Sequence, residues 1–392
     1  MLSKNIFLKN YNTKNSPSNV KKIFKKEILK EIKNSKNLLN TLSKNYKYNF
    51  KKKFLFKYKK FKEINIIGMG GSILGSEAIY CFLNHKIKKK INFFNNIENF
   101  IKNKKKKSFN VIISKSGNTL EVATNVNIVV KKNDENLIIT EKRKNFLNSI
   151  ASDLKSEVIE HNNFIGGRYS VLSEVGMLPA ELMGLNAKKF KNIDNLIKSK
   201  YFYKSLVNSV ERTLYLIKNN KFNSIILNYD SKSENFFKWY QQLVAESLGK
   251  KSKGILPVVS KMPKDNHSIM QYYLDGPKIN FFTFFYVFEK LSNKITNSTL
   301  LKQFKYLKNN STNEIIYKQK IATENIFKLK KIPFRSFEIK NRTEQTLGEM
   351  FSFFILETIL LGRALNINPF DQPSVELIKK ETKKIFISKP QK

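Results

Sequence analysis

The sequence predicts an α/β fold with two domains built on parallel β-sheets, together with a helical N-terminal arm and a C-terminal helical tail. Short apolar runs that end in small-residue loops, each followed by a helix-length segment, recur through residues 61–365. This strand–loop–helix order indicates βαβ units and therefore parallel strands. The chain has 392 residues, of which 41% are hydrophobic, and this is enough to bury the cores of two such domains.

The domain boundaries follow changes in sequence texture. Residues 1–60 are rich in Lys and Asn with weak helical periodicity, which predicts an N-terminal helical arm packed partly on the first domain. We place the first α/β domain at 61–200 and the second at 201–365. A C-terminal tail at 366–392 begins with two prolines that stop the preceding helix.

The individual elements follow from apolar runs and helical periodicity. In the first domain we expect strands at 64–67, 111–114, 137–140 and 158–160 and helices at 76–83 and 121–130. In the second domain and the tail we expect strands at 224–228, 254–259 and 279–287 and helices at 234–248, 268–274, 314–327, 343–365 and 375–386. Residues 186–220 are expected to form helical connectors.

The formal net charge of +42 raises the question of a nucleic acid or an anionic membrane as partner. We do not favour dedicated nucleic-acid binding, because the lysines are spread along the whole chain and only six of the 73 basic residues are Arg. Nucleic-acid readers favour Arg for bidentate contacts. Lys, Asn, Ile and Phe are all over-used, and AT-rich codons explain that bias.

The remaining composition favours a cytoplasmic protein. Cys81 is the only cysteine, which excludes a disulfide framework and a cysteine-based metal site and fits a reducing compartment. The first residues lack the long apolar core of a signal peptide. The longest apolar stretch, 350–361, is interrupted by Glu357, which indicates a buried helix rather than a membrane span.

Two loops in the first domain predict a phosphate site. The loop at 68–72 is rich in Gly, and the loop at 114–119 is rich in hydroxyl side chains; each follows an apolar strand. Backbone N–H groups at strand-to-helix turns bind anions, and two such loops on one sheet point to one pocket. The candidate ligands are Gly71, Ser72, Ser114, Lys115, Ser116 and Thr119. Two ordinary strand–helix turns are the alternative.

Three further residues could carry chemistry, each with a plain structural alternative. Glu246 shares a helical stripe with Trp239 and Leu243, and desolvation makes such a carboxylate a stronger base. From spacing alone, a surface glutamate near a helix end is the commoner case. His267 lies in a polar helix entry and could shuttle a proton, or could simply cap the helix. Lys379 carries no signal of its own among 67 lysines.

Taken in order, the motifs resemble those of the glucose-6-phosphate isomerase family. They span residues 68–379, which is most of the chain, and six of them follow in the family's order. The segments that carry the resemblance are Gly68-Met-Gly-Gly-Ser-Ile-Leu-Gly75, Ser114-Lys-Ser-Gly-Asn-Thr119, Gly166-Gly-Arg-Tyr-Ser170, Gln242-Leu-Val-Ala-Glu-Ser-Leu-Gly-Lys250, Asp265-Asn-His267 and Gln372-Pro-Ser-Val-Glu-Leu-Ile-Lys379.

The resemblance implies a fold of two sugar-isomerase (SIS) domains, each a three-layer αβα structure with a five-stranded parallel sheet, and a homodimer. It implies that the two loops bind phosphate, with Gln372 reaching in from the C-terminal segment. It assigns Glu246 as the base, Arg168 as the partner of the enediolate oxygen, and Lys379 as the group assisting at the ring oxygen. It further implies that His267, contributed by the partner subunit, opens the ring. No metal or other cofactor is expected.

The resemblance therefore predicts a cytoplasmic aldose–ketose isomerase that interconverts glucose 6-phosphate and fructose 6-phosphate through a cis-enediolate. One alternative is another SIS isomerase that also accepts mannose 6-phosphate. A non-catalytic sugar-phosphate sensor would need the Ser/Thr loops without Glu246, His267 and Lys379 together. The chain is shorter than most family members, and Ser374 stands where the family usually has Gly.

Overall fold

Two five-stranded sheets organise the protein in the computed structural model, which describes residues 2–98, 108–289, 291–296 and 302–388. The strands are β1 Ile6–Lys9, β2 Glu63–Gly68, β3 Lys90–Phe94, β4 Phe109–Ile113, β5 Glu135–Thr140, β6 Glu157–Glu160, β7 Asn223–Asn228, β8 Leu256–Lys261, β9 Asn280–Val287 and β10 Phe334–Ile339. The helices are α1 Val20–Ile23, α2 Leu29–Lys33, α3 Leu74–Phe82, α4 Leu120–Val129, α5 Phe146–Ile150, α6 Glu174–Leu182, α7 Ile193–Leu196, α8 Lys200–Lys218, α9 Glu234–Leu248, α10 Met270–Asp275, α11 Thr312–Leu329, α12 Glu344–Ala364 and α13 Pro373–Ser388.

Both sheets confirm the predicted parallel topology, with one exception. The first sheet has the order β3-β2-β4-β5-β6, and every neighbouring pair is parallel. The second has the order β1-β10-β9-β7-β8, and only β1 runs antiparallel to its neighbour. A four-residue antiparallel edge strand is common on an otherwise parallel sheet.

Each sheet is the middle layer of three. Along β2, Ile66 faces a core shared with α3 and α6, whereas Ile67 faces a separate core with α4 and α5. Along β7, Ile226 faces the core that also contains Ile66, and α8, α9 and α12 contribute to this core. Ile225 faces a third core, to which α10 and α11 contribute. Because side chains alternate across a strand, helices cover both faces of each sheet. One continuous core joins the inner helices of the two domains.

The N-terminal arm differs from the prediction. Residues 6–9 form β1 and pair with β10 of the second sheet, so the expectation of a helical arm packed partly on the first domain is wrong for these four residues. Ile6 and Leu8 are buried while Phe7 and Lys9 are exposed. This period of two is typical of a strand with one buried face, and four residues are too few for it to stand out in the sequence.

Besides β1, two more strands that the sequence analysis did not assign lie beside predicted ones. Strand β3 is a half-exposed edge strand with a lysine and an asparagine, and β10 contains Arg335 and Glu338 within a buried run. Polar residues in both hid the apolar signal. The predicted helix 234–248 has the same bounds as α9, and Gly249 caps its C-terminal end.

Among the described residues no helix is both long and apolar enough to cross a membrane. Helix α12 is the long apolar helix of the sequence analysis, and it is buried along almost its whole length between α8 and α9. Its Glu357 forms an ion pair with the buried Arg335 of β10. That pair explains how a carboxylate is accommodated within an apolar helix.

Candidate active site

Arg168 is the centre of the candidate active site. It lies in the 3-10 turn Gly167–Leu172 and is 3% exposed. Its Nε donates to Ser247 Oγ at 2.8 Å, and its Nη1 donates to Glu246 Oε2 at 3.2 Å. Helix α9 thus brings two of the four predicted catalytic residues, Arg168 and Glu246, into direct contact from distant parts of the chain.

The carboxylate of Glu246 is held at both oxygens. Besides the contact with Arg168, Gln242 Nε2 donates to Oε1 at 3.0 Å. The Glu246 side chain is 30% exposed, while Leu243 on the same stripe is fully buried. The arrangement therefore fixes the carboxylate between a cation and an amide and leaves part of it open to a ligand.

The Gly-rich loop of the first domain packs directly on the turn that carries Arg168. A Cβ placed on Gly71 would lie 2.2 Å from the carbonyl carbon of Gly167 and 2.6 Å from the backbone nitrogen of Arg168. The Oγ of Ser170 donates to the Gly71 carbonyl at 3.3 Å. Only Gly permits this approach, so the predicted phosphate loop and the predicted enediolate partner form one unit. Ser72 follows in the same loop and is half-buried.

Gln242 is a site residue that the sequence analysis missed. It lies one helical turn before Glu246, and a Cβ on Gly70 would come within 2.8 Å of its Nε2. Its Oε1 is buried and has no hydrogen-bond partner among the described residues. Gln242 therefore lies between the Gly-rich loop and Glu246, and its Oε1 remains an acceptor without a partner among the described residues. The signal available in the sequence was the i, i+4 spacing to Glu246.

The second loop begins beside the first, because Gly68 of β2 is in register with Ile113 of β4. The Oγ of Ser114 lies 2.9 Å from Thr119 Oγ1 and accepts from the Gly117 backbone N–H at 3.2 Å. Ser116 Oγ is 3.5 Å from the same Thr119 hydroxyl. The predicted hydroxyl ligands thus converge at the carboxyl edge of the first sheet, where anion sites form in such folds.

Lys115 in this loop is held by a backbone carbonyl and a carboxylate. Its Nζ donates to the Asn163 carbonyl at 2.8 Å and lies 3.6 Å from the Glu141 carboxylate, which also binds Arg143. Burial lowers the pKa of the Lys115 ammonium, and the neighbouring Glu141 opposes that shift. Its positive charge is therefore partly offset by Glu141.

Gln372 also reaches the centre of the site. Its Oε1 accepts from Arg168 Nη1 at 2.7 Å, and the carbonyls of Pro369 and Asp371 accept from Arg168 Nη2 at 2.8 and 3.0 Å. The hydroxyl of Tyr169 donates to the Pro369 carbonyl at 2.9 Å. Burial raises the pKa of Tyr169, which keeps the hydroxyl as a donor.

The structure does not bring the other two predicted catalytic residues to this cluster. His267 ends the 3-10 turn Lys264–His267 that follows β8, and it is exposed. Lys379 lies on α13, is 63% exposed and pairs with Glu376 at 2.6 Å. Within the described part of the chain, neither contacts Glu246 or Arg168 by a hydrogen bond or an ion pair. In the same part, no group of three His, Cys, Asp or Glu side chains could hold a metal ion.

Residues 11–261 match the family model described as phosphoglucose isomerase. The chain is 32% identical over 361 residues to the glucose-6-phosphate isomerase of Methanocaldococcus jannaschii, covering 83% of this chain and 85% of that protein. It is 31% identical over 360 residues to the probable glucose-6-phosphate isomerase of Methanococcus maripaludis, covering 82% and 78% respectively.

Two solved structures share the fold. A hypothetical protein from Thermus thermophilus superposes with a TM-score of 0.80 and 19% identity, covering 94% of both chains. A glucose-6-phosphate isomerase from Chlamydia trachomatis superposes with a TM-score of 0.69 and 19% identity, covering 85% of this chain and 71% of that one. At this identity the two superpositions establish the shared architecture.

Proposed function

The chain belongs to the phosphoglucose isomerase family, and we propose that it interconverts glucose 6-phosphate and fructose 6-phosphate at the site around Arg168. The observation that carries the proposal is the direct contact of Glu246 with Arg168, beside the Gly-rich loop. A carboxylate that moves a proton and a fixed cation that stabilises the resulting oxyanion are the two groups that an enediolate reaction needs.

Glu246 is the proposed base that moves a proton between C2 and C1 of the opened sugar. Its two oxygens are oriented by Gln242 and Arg168, so the carboxylate needs little reorganisation when the substrate arrives. The unpaired Oε1 of Gln242 can accept a hydrogen bond from a sugar hydroxyl beside it. This role of Gln242 is part of the proposal.

Arg168 is the proposed partner of the enediolate oxygen. Its Nε and Nη2 are held by Ser247 and by the two carbonyls of the C-terminal segment, which leaves Nη1 as the edge that faces Glu246. Preorganised donors stabilise developing charge at low cost because they do not have to reorient during the reaction. The substrate would share Nη1 with Gln372.

The phosphate is proposed to bind at the carboxyl edge of the first sheet. The hydroxyls of Ser114, Ser116 and Thr119 converge there, and we propose that Gly71 in the neighbouring loop supplies a backbone N–H. Ser72 and Lys115 complete the proposed set, together with Gln372, which reaches in from the C-terminal segment. The overall positive charge of the chain would favour the approach of a phosphorylated substrate.

We propose that the enzyme is a homodimer in which His267 opens the sugar ring in the partner's site. His267 is exposed and apart from Glu246 in its own chain, which is the placement that a contribution in trans requires. A mixture of Glu246→Gln and His267→Ala chains tests it. Heterodimers would then contain one intact site, and random assortment would restore about a quarter of wild-type activity. If His267 acts within its own chain, the mixture stays inactive.

Lys379 is proposed to assist at the ring oxygen of the sugar. This role requires α13 to approach the site. We assign no cofactor. We place the protein in the cytoplasm, in agreement with the free, half-buried thiol of Cys81.

The test of the function is a coupled assay for glucose 6-phosphate formed from fructose 6-phosphate. The proposal fails if fructose 6-phosphate binds without turnover, as a sugar-phosphate sensor would behave. Epimerisation to mannose 6-phosphate would indicate the broader isomerase.

A further inference from the structure

A short segment of the C-terminal tail, residues 368–372, lies across the active-site arginine, and we call it the C-terminal strap. Arg168 donates to its carbonyls at Pro369 and Asp371, and Tyr169 donates to the Pro369 carbonyl. The strap ends at Gln372, which contacts Arg168 Nη1. Helix α13, with Lys379, begins at the next residue. The position of the strap therefore determines the position of Gln372 and of the start of the helix that carries Lys379.

Lys250 is the third residue that holds the strap. Its Nζ donates to the Asn368 and Asp371 carbonyls at 2.5 and 2.6 Å and to Asp371 Oδ1 at 2.6 Å. The Lys250 side chain is only 12% exposed, which is low for a lysine. The hydrogen bond from Lys250 lowers the pKa of the Asp371 carboxyl. All three donors of the ammonium are thus spent on one five-residue segment.

The carbonyl of Asp371 receives two charge-assisted hydrogen bonds, one from Lys250 and one from Arg168. Such bonds are about twice as strong as neutral ones. This carbonyl belongs to the peptide unit that leads into Gln372, so holding it also restrains where the Gln372 side chain points. Lys250 itself follows the end of α9, four residues after Glu246, and so links the strap to the helix of the proposed base.

We propose that Lys250 is a positioning residue for the isomerase reaction, acting through the strap to keep Gln372 on Arg168. It touches neither the Arg168 guanidinium nor the Glu246 carboxylate by a hydrogen bond in the described structure. The predicted effect of Lys250 on the reaction rate rests on the proposed function. The restraint of the strap by Lys250 concerns the substrate-free protein and does not depend on the reaction.

The test compares Lys250→Met with Lys253→Met by hydrogen exchange and by kinetics. Lys253 is a control because its Nζ also donates to a backbone carbonyl near the strap, that of Leu365 at the end of α12, at 3.3 Å. Exchange of the Phe370 amide, which donates to Asn368 Oδ1 at 3.1 Å within the strap, should rise about tenfold in Lys250→Met, because the Asn368 and Asp371 carbonyls lose their charged donor and the strap loosens. It should stay unchanged in Lys253→Met.

In the kinetic measurement, Lys250→Met should lower kcat/KM by about tenfold. Asp371→Asn should lower kcat/KM by less, because Lys250 can still donate to the Asn368 and Asp371 carbonyls in that variant. Unchanged exchange in the strap of Lys250→Met overturns the proposal, and so does a loss of kcat/KM that Lys253→Met shows equally. If the wild-type chain has no isomerase activity, the proposed function fails, and the exchange measurement still decides whether Lys250 holds the strap.

Discussion

The contact between Gly71 and Gly167 gives the sharpest test of how the site is assembled. The substitution is Gly71→Ala. The new Cβ would lie 2.2 Å from the Gly167 carbonyl carbon, 2.4 Å from its oxygen and 2.6 Å from the Arg168 nitrogen. All three are backbone atoms, so rotation of a side chain cannot relieve the clash.

The magnitude follows from the displacement needed. Ordinary van der Waals contact begins near 3.4 Å, so the Gly-rich loop and the turn of Arg168 must separate by roughly 1 Å. A misplacement of about 1 Å at a catalytic group costs about a hundredfold in rate, and overpacking costs roughly 1–3 kcal/mol in stability. We therefore expect Gly71→Ala to fold with a lowered melting temperature and to lose about a hundredfold in kcat.

Gly167→Ala is the matched control, because it adds the same methyl group to the other side of the same contact. The nearest atom to a Cβ there is the Gly71 Cα at 4.0 Å. Both variants should be compared in a coupled isomerase assay and by thermal unfolding. Near-wild-type activity of Gly71→Ala, or an equal loss in Gly167→Ala, would refute the reasoning that close backbone approach positions Arg168.

Two further predictions concern buried ionisable groups. Glu357→Gln should lower the free energy of unfolding by about 3–5 kcal/mol in urea titrations, because it leaves the buried Arg335 guanidinium without its anion; Glu381→Gln, in an exposed pair, should change it by less than about 0.5 kcal/mol. His161 is buried with its Nδ1 on the Asn162 carbonyl, and burial lowers its pKa to about 4. The unfolded chain therefore binds a proton below about pH 6.5 that the folded chain refuses, so stability should fall as pH drops from 6.5 to 4, by about 3 kcal/mol in total. His161→Gln should remove that part of the slope in unfolding titrations across this range, and an unchanged slope would contradict the assignment.

Local patterns in the sequence predicted most of the fold. Helix α9 was predicted with its observed ends because its apolar stripe and closing glycine are both local signals. Strand β10 was not, because Arg335 and Glu338 interrupt its apolar run, and the charge of Arg335 is compensated by a carboxylate on the distant helix α12. Such compensation between distant elements is invisible in a local window.

The candidate site shows the same division. The Gly-rich loop and the Ser/Thr loop were predicted because each follows a strand directly. The contacts of Arg168 with Glu246 and with the C-terminal strap join segments 78 and about 200 positions apart, and only the packed fold sets those distances. Gln242 was missed because its i, i+4 spacing to Glu246 is common on helices, and only the structure shows that its Oε1 has no partner among the described residues.

The central claim is that Glu246 moves the proton between C2 and C1. It is tested most directly by following deuterium uptake from D2O into the sugar phosphate with Glu246→Gln, using Glu234→Gln as control. The two glutamates are on α9 with similar exposure, 30% and 31%, and each pairs with a cation. We predict that Glu246→Gln binds the sugar phosphate but loses exchange and turnover by about 10²–10⁴-fold, while Glu234→Gln retains both. Exchange at the wild-type rate in Glu246→Gln would contradict the account.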